Sequence, residues 1–146
     1  IGEKKYDECQ KATFKAAKLG ILTAVIGAGF FVLTGKYVMR IFTDDATIIG
    51  LVVKVLMVDF VLEIGRICNI VFGNALKTAG DAAYTVFIAV IFMYLFAVLG
   101  SYVFGISLKW CVVGSWIGLA MDECMRAILM GIRWKSRKWE KKVLVK

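Results

Sequence analysis

From residue 82 to residue 108 the chain carries no charged side chain at all. About 20 mostly apolar residues are enough for a helix to cross a bilayer, and an uncharged run of this length has no place on the surface of a soluble domain. The rest of the sequence agrees: 60% of its residues are hydrophobic and the mean hydropathy is +0.77, against roughly 45 to 50% apolar in ordinary soluble domains. An integral membrane protein with an all-α fold is expected, a polytopic helical bundle with four transmembrane helices over about 16–41, 48–76, 82–104 and 108–132. Residues 1–15 read as a cytoplasmic linker and 133–146 as a basic cytoplasmic tail. The connection containing Asp44 and Asp45 and the one containing Gly80 and Asp81 are short, which makes successive helices antiparallel. Each offers an acid to cap the helix that follows. The chain begins at Ile in a basic stretch, so a piece of a longer protein is expected.

Charge sets the orientation. Lysines and arginines gather in the linker (Lys4, Lys5, Lys11, Lys15, Lys18), beside the second connection (Lys77) and in the tail (Arg133 to Lys146), whereas Lys36, Arg40 and Lys109 are alone on the other side. Positive residues stay inside, so both ends are expected in the cytoplasm, with the protein in the plasma membrane. A net charge of +8 would suit nucleic acid, but these cations lie where an anionic leaflet would be and no nucleic-acid motif accompanies them. No nucleic-acid partner is expected. Trp134 and Trp139 are expected to anchor the inner interface and Trp110 the outer one, with Trp116 deeper.

Chemistry of the enzymatic kind has little to work with. Cys9, Cys68, Cys111 and Cys124 show no CxxC and no paired metal spacing, and there is no His to complete a zinc or haem site. There is no nucleophile beside a base and no phosphate-cradling loop, so neither an enzyme nor a bound cofactor is expected.

The informative charges lie inside the spans. The second carries Lys54, Asp59, Glu63 and Arg66. At about 100° per residue, Asp59, Glu63 and Arg66 fall within roughly 60° of one another, and Asn69 extends the stripe; Lys54 points away and can snorkel. Glu63 is near mid-span, within i,i+3 reach of Arg66. Ionisable groups in a span face the bundle interior or a water-filled cavity. Two readings follow: a carboxylate that responds to protons or cations in a transport pathway, or an ion pair that locks the helix to its neighbours. In the fourth span Asp122 and Glu123 both reach Arg126, and this cluster reads as a structural salt-bridged stretch.

Four pieces, in order, resemble the multidrug and toxic compound extrusion (MATE) family. They are Ile1-Gly-Glu-Lys-Lys-Tyr-Asp, like its cytoplasmic linker; Arg40-Ile-Phe-Thr43-Asp44-Asp45, like its outer turn; Glu63-Ile-Gly-Arg66-Ile-Cys-Asn69 through Lys77-Thr-Ala-Gly80-Asp81, like a helix and its loop; and Trp116-Ile-Gly-Leu-Ala-Met-Asp122-Glu123-Cys-Met-Arg126 with the tail as far as Trp139, like the last helix. The resemblance implies helices nine to twelve of a twelve-helix, two-lobe transporter that exports organic cations or amphipathic drugs in exchange for protons or sodium ions. Its partners would be the bilayer, the remaining helices and a small amphipathic or cationic substrate. The sequence also departs from the family: Arg66 stands near where the sodium-coupled branch has an acid, Asn74 and Thr78 stand where Gly is frequent, and no Pro follows Asp81. A lipid-linked sugar flippase of the same superfamily and a self-contained four-span oligomer stay open as alternatives.

Overall fold

Turn chemistry divides the chain where the polar breaks fall. In the computed structural model, which describes residues 5–142, α1 (Tyr6–Phe42) ends at the extended Thr43. Asp45 then starts α2 (Ala46–Thr78) by accepting hydrogen bonds from the backbone N–H groups of Thr47 at 2.8 Å and Ile48 at 3.4 Å, the N-cap expected of it. At the other end of α2 the N–H groups of Gly80 and Asp81 return to the carbonyls of Lys77 and Leu76, at 3.0 and 2.9 Å. This paired return requires a left-handed residue, and Gly80 supplies it with φ +92°. Next comes α3 (Ala82–Ser107), α-helical to Phe92 and widened into π turns over Met93–Gly100 and Tyr102–Ser107. A turn through Lys109 and Cys111, both at positive φ, leads to α4 (Cys111–Lys135), and a 3-10 turn (Lys138–Lys142) follows it. Ile1 to Lys4 of the linker piece and Val143 to Lys146 of the tail lie outside the described residues.

The boundaries differ from the sequence reading by one to three residues at most ends, and by ten at the start of α1. Helix α1 begins within the expected linker, because Tyr6 and Cys9 pack on the buried cluster at the tail end. Helix α4 begins at Cys111 rather than 108, since Leu108 to Trp110 make the turn.

The helices pack in the spatial order α1, α2, α4, α3. Small residues set the close approaches, as they do where lipid rather than water surrounds a bundle. Gly20 and Gly35 of α1 lie against Ile67 and Leu56 of α2. A Cβ on Gly65 of α2 would be 2.7 Å from Cys124 Sγ and 2.9 Å from the Cys124 backbone nitrogen on α4. A Cβ on Gly118 of α4 would be 2.6 Å from the backbone nitrogen of Ser101 on α3. Because Asp59 meets Trp116, Gly65 meets Cys124 and Phe72 meets Gly131, α2 and α4 run parallel. Their neighbours α1 and α3 are each long and apolar enough to cross a membrane and turn Phe30, Leu33, Phe87, Tyr94 and Ile106 outward. The fold is an all-α membrane helical bundle.

The tail does not continue away from it. Arg137, at φ 55°, folds the chain back so that Trp139 stacks on Trp134 with ring centroids 4.3 Å apart and planes within 7°. Both rings are 0% exposed, in a core with Ala17, Phe72, Leu76, Ala79 and Met130. The expectation of two interfacial anchors is therefore corrected. A Trp interleaved with Lys and Arg reads as an interface belt in sequence, but here the reversal turns both rings inward and leaves Lys135, Lys138 and Lys141 exposed. Trp110, by contrast, is exposed at the opposite end, stacked on Phe104.

Candidate functional site

The two charged clusters read separately in the sequence form one polar seam between α2 and α4. Trp116 Nε1 donates to Asp59 Oδ1 at 3.0 Å. Asn69 Nδ2 donates to Glu123 Oε2 at 2.8 Å. Arg126 Nη2 donates to Asp122 Oδ2 at 2.6 Å and to Glu123 Oε1 at 2.9 Å. Each contact on α2 has its partner at a matching height on α4, and Gly65 admits the approach that closes them.

The α2 stripe is divided. Asp59 and Asn69 turn to α4, while Glu63 and Arg66 pair with each other at 2.5 Å on a more open face, their side chains 29% and 44% exposed. The geometric reason is that the stripe runs along the edge of the α2–α4 contact and not through its centre. Asp122 is the most enclosed acid of the seam, with 3% of the residue exposed. Its Oδ1 and the Nε of Arg126 have no hydrogen-bond partner among the described residues. Lys54 is exposed, in line with its expected outward direction, and lines a groove with Lys36, Arg40 and Asp44 near the α1–α2 turn.

A second polar centre was not legible in the sequence. Asp81 has 0% of its surface exposed and accepts from Arg133 Nε at 2.7 Å and Lys142 Nζ at 2.6 Å. The Arg133 guanidinium also lies 4.7 Å above the Tyr84 ring, a cation–π geometry. Asp81 occupies the N-cap position of α3 but makes no capping bond, so its expected capping role is replaced by this clamp. Burial raises its pKa, yet the hydrogen bonds and charges of Arg133 and Lys142 outweigh burial and hold the carboxyl below the ordinary carboxylate range. Alongside it, Arg137 pairs with Asp7 and donates to Gln10 Oε1 from Nε at 3.1 Å and Nη2 at 2.9 Å. The clamp ties together the start of α1, the α2–α3 turn and the end of α4. The one sequence signal for it was an acid between Gly80 and an apolar helix, within a basic surround.

Among the described residues no group of His, Cys, Asp and Glu is arranged to hold a metal ion. What the seam offers chemically is carboxylates with few cations, half-enclosed between helices, a setting in which protons or small cations change the balance. An apolar bundle with such a seam is an integral membrane protein with charge held between its helices. Comparison with known proteins then gives the family. The MatE family model matches residues 1–103, and an uncharacterized transporter of Bacillus subtilis, YisQ, is 34% identical over 137 residues, covering 94% of this chain and 29% of the relative. The chain belongs to the MatE family, one of membrane transporters and not of enzymes, and it spans less than a third of that relative's length. No solved structure gives a significant match.

Proposed function

We propose that the chain is the carboxy-terminal part of a secondary-active exporter that moves organic cations or amphipathic drugs out of the cell in exchange for protons or sodium ions. The observation that carries this reading is the charge balance of the seam. In the seam and on the open face beside it, Asp59, Glu63, Asp122 and Glu123 are set against Arg66 and Arg126 within the middle turns of α2 and α4. Excess acid at that depth is costly unless a cation or proton accompanies it, and a site whose occupancy decides its own charge can bias one helix packing over another.

In this mechanism Glu63 and Arg66 face the cleft between lobes, and cation or proton arrival competes with Arg66 for Glu63. Asp59 and Asn69 hold α2 to α4 so that the change at Glu63 moves the pair together. The rest of the transporter, another lobe and the remaining helices of this one, supplies most of the substrate surface. Both chain ends lie in the cytoplasm, the protein spans the plasma membrane, and alternating access follows from one repeat rocking against the other. The lipid-linked sugar flippase is disfavoured, because an anionic headgroup needs cleft cations and the partly open face of α2 offers Arg66 already paired to Glu63.

The experiment is ethidium efflux by the complete protein in proteoliposomes, with a proton or a sodium gradient imposed. Uphill movement under either gradient is the expected result. Movement that follows only the ethidium gradient, whichever ion is varied, overturns the reading.

A further inference from the structure

The α4 part of the seam holds two carboxylates and one guanidinium, and they are not equally served. Glu123 has a donor on each oxygen, Asn69 on Oε2 and Arg126 on Oε1. Asp122 has one donor, the same Arg126 Nη2, on Oδ2. Its Oδ1 is buried and without a hydrogen-bond partner among the described residues, and so is Arg126 Nε. A buried carboxylate oxygen without a donor is rare and calls for a reason.

We propose that Asp122 carries a proton on Oδ1 in this packing and is a proton-binding site of the seam, with Glu123, Asn69 and Arg126 as its positioning residues. Two enclosed carboxylates that share one cation retain a proton between them. The distribution of donors decides which acid holds it: both Glu123 oxygens accept a hydrogen bond, and Asp122 Oδ1 accepts none among the described residues. The proton comes from water and adds to Oδ1, leaving the triad neutral as Asp122 acid, Glu123 anion and Arg126 cation. When water reaches Oδ1 the proton returns to it, and Asp122 then competes with Glu123 for Arg126.

The surroundings contain little that would compensate an ionised Asp122. Helix α2 brings Asp59, Glu63, Arg66 and Asn69 with the Cys68 thiol, and its Arg66 is engaged by Glu63. Helix α3 has no charged residue between Ala82 and Leu108. Gly118, one turn before Asp122, packs on the Ser101 backbone nitrogen and hydroxyl and the Phe96 carbonyl of α3, so this side of α4 meets an uncharged neighbour. On α4 itself there are Glu123, Arg126 and the Cys124 thiol. A sodium ion fits less well than a proton, since hard cations take several oxygen ligands and both Glu123 oxygens are occupied.

The use of this proton in coupling rests on the exporter reading; the protonation does not. The test is infrared spectroscopy of the complete protein in lipid nanodiscs, following the protonated-carboxyl C=O band as bulk pH is raised from neutral. The band is expected in the unmodified protein and is expected to be lost in Asp122→Asn. Glu123→Gln equalises the charges of the triad, so Asp122 should release its proton at lower pH and the band should titrate earlier. This second variant keeps the test decisive where Asp122→Asn does not fold. Absence of the band at neutral pH, its persistence in Asp122→Asn, or an unmoved titration in Glu123→Gln overturns the proposal. If the band behaves as stated while no proton gradient drives efflux, the protonation stands and the proton-coupled form of the exporter reading falls.

Discussion

Asp81→Asn should release the tail from the bundle while leaving the bundle folded. Asp81 is fully enclosed, and its partners are not equivalent: the Arg133 side chain is 18% exposed and Lys142 46%. Breaking an enclosed ion pair from one side costs about 3–5 kcal/mol in soluble proteins, but Asn keeps the shape and one acceptor, and Lys142 can return to water. Each charge-assisted hydrogen bond is worth about 1.5–3 kcal/mol, and with the Lys142 bond discounted for solvent the loss should be about 2 kcal/mol. At 1.4 kcal/mol per tenfold, that raises the open population roughly 30-fold. Hydrogen exchange of the complete protein reads this directly, as faster exchange at the end of α4, in the 3-10 turn and in the first turns of α1, with no change at the α1–α2 turn around Asp45. Lys142→Met should give a smaller effect of the same pattern. The sign of the pH dependence follows from the depressed carboxyl: the clamp's contribution is complete above the ordinary Asp pKa of about 3.9 and is lost as pH falls through the lower folded value. Exchange in the tail that is unchanged by Asp81→Asn, or that increases already at mildly acidic pH in the unmodified protein, would refute this reasoning.

Three further outcomes are expected. Gly65→Ala places a methyl 2.7 Å from Cys124 Sγ and 2.9 Å from its backbone nitrogen, so α2 and α4 must separate at a cost of about 1–3 kcal/mol, seen as a lower thermal midpoint in detergent. Trp139→Ala removes a ring with 0% exposure stacked on Trp134; about 3–5 kcal/mol of local stability should go, with the tail becoming sensitive to limited proteolysis. Glu63→Gln in the complete protein should reduce coupled efflux without lowering the amount in the membrane, and unchanged efflux across the pH range would remove Glu63 from the mechanism.

The helices were readable because their signals are local. Long uncharged runs mark the first and third spans, Asp45 caps α2 within three residues, and Gly80 provides the positive φ that its C-terminal turn requires. The membrane class followed from the same runs. Pairings across the fold were not readable: Asp81 with Arg133, Asp7 with Arg137 and Asn69 with Glu123 join residues far apart in sequence, and no periodicity on one helix says which other helix it will meet. For that reason Asp122, Glu123 and Arg126 read as a salt-bridged patch of α4, when they share a seam with the stripe on α2. Trp134 and Trp139 were misread because burial in a small core and insertion at an interface ask for the same amphipathic residue, and only the reversal at Arg137 distinguishes them. The π turns of α3 had no sequence signal; they begin just before the stretch where Gly100, Gly105 and Ser101 meet α4, a contact between chain segments and not a property of either.

The measurement that bears most directly on the account is the reverse exchange. Proteoliposomes holding the complete protein are loaded with ethidium and diluted into ethidium-free buffer, with internal proton and sodium concentrations followed by trapped dyes. Outward ethidium flow should drive one of these ions inward against no gradient of its own, and Glu63→Gln should weaken the link. Ethidium leaving with neither ion moving would contradict cation-coupled export.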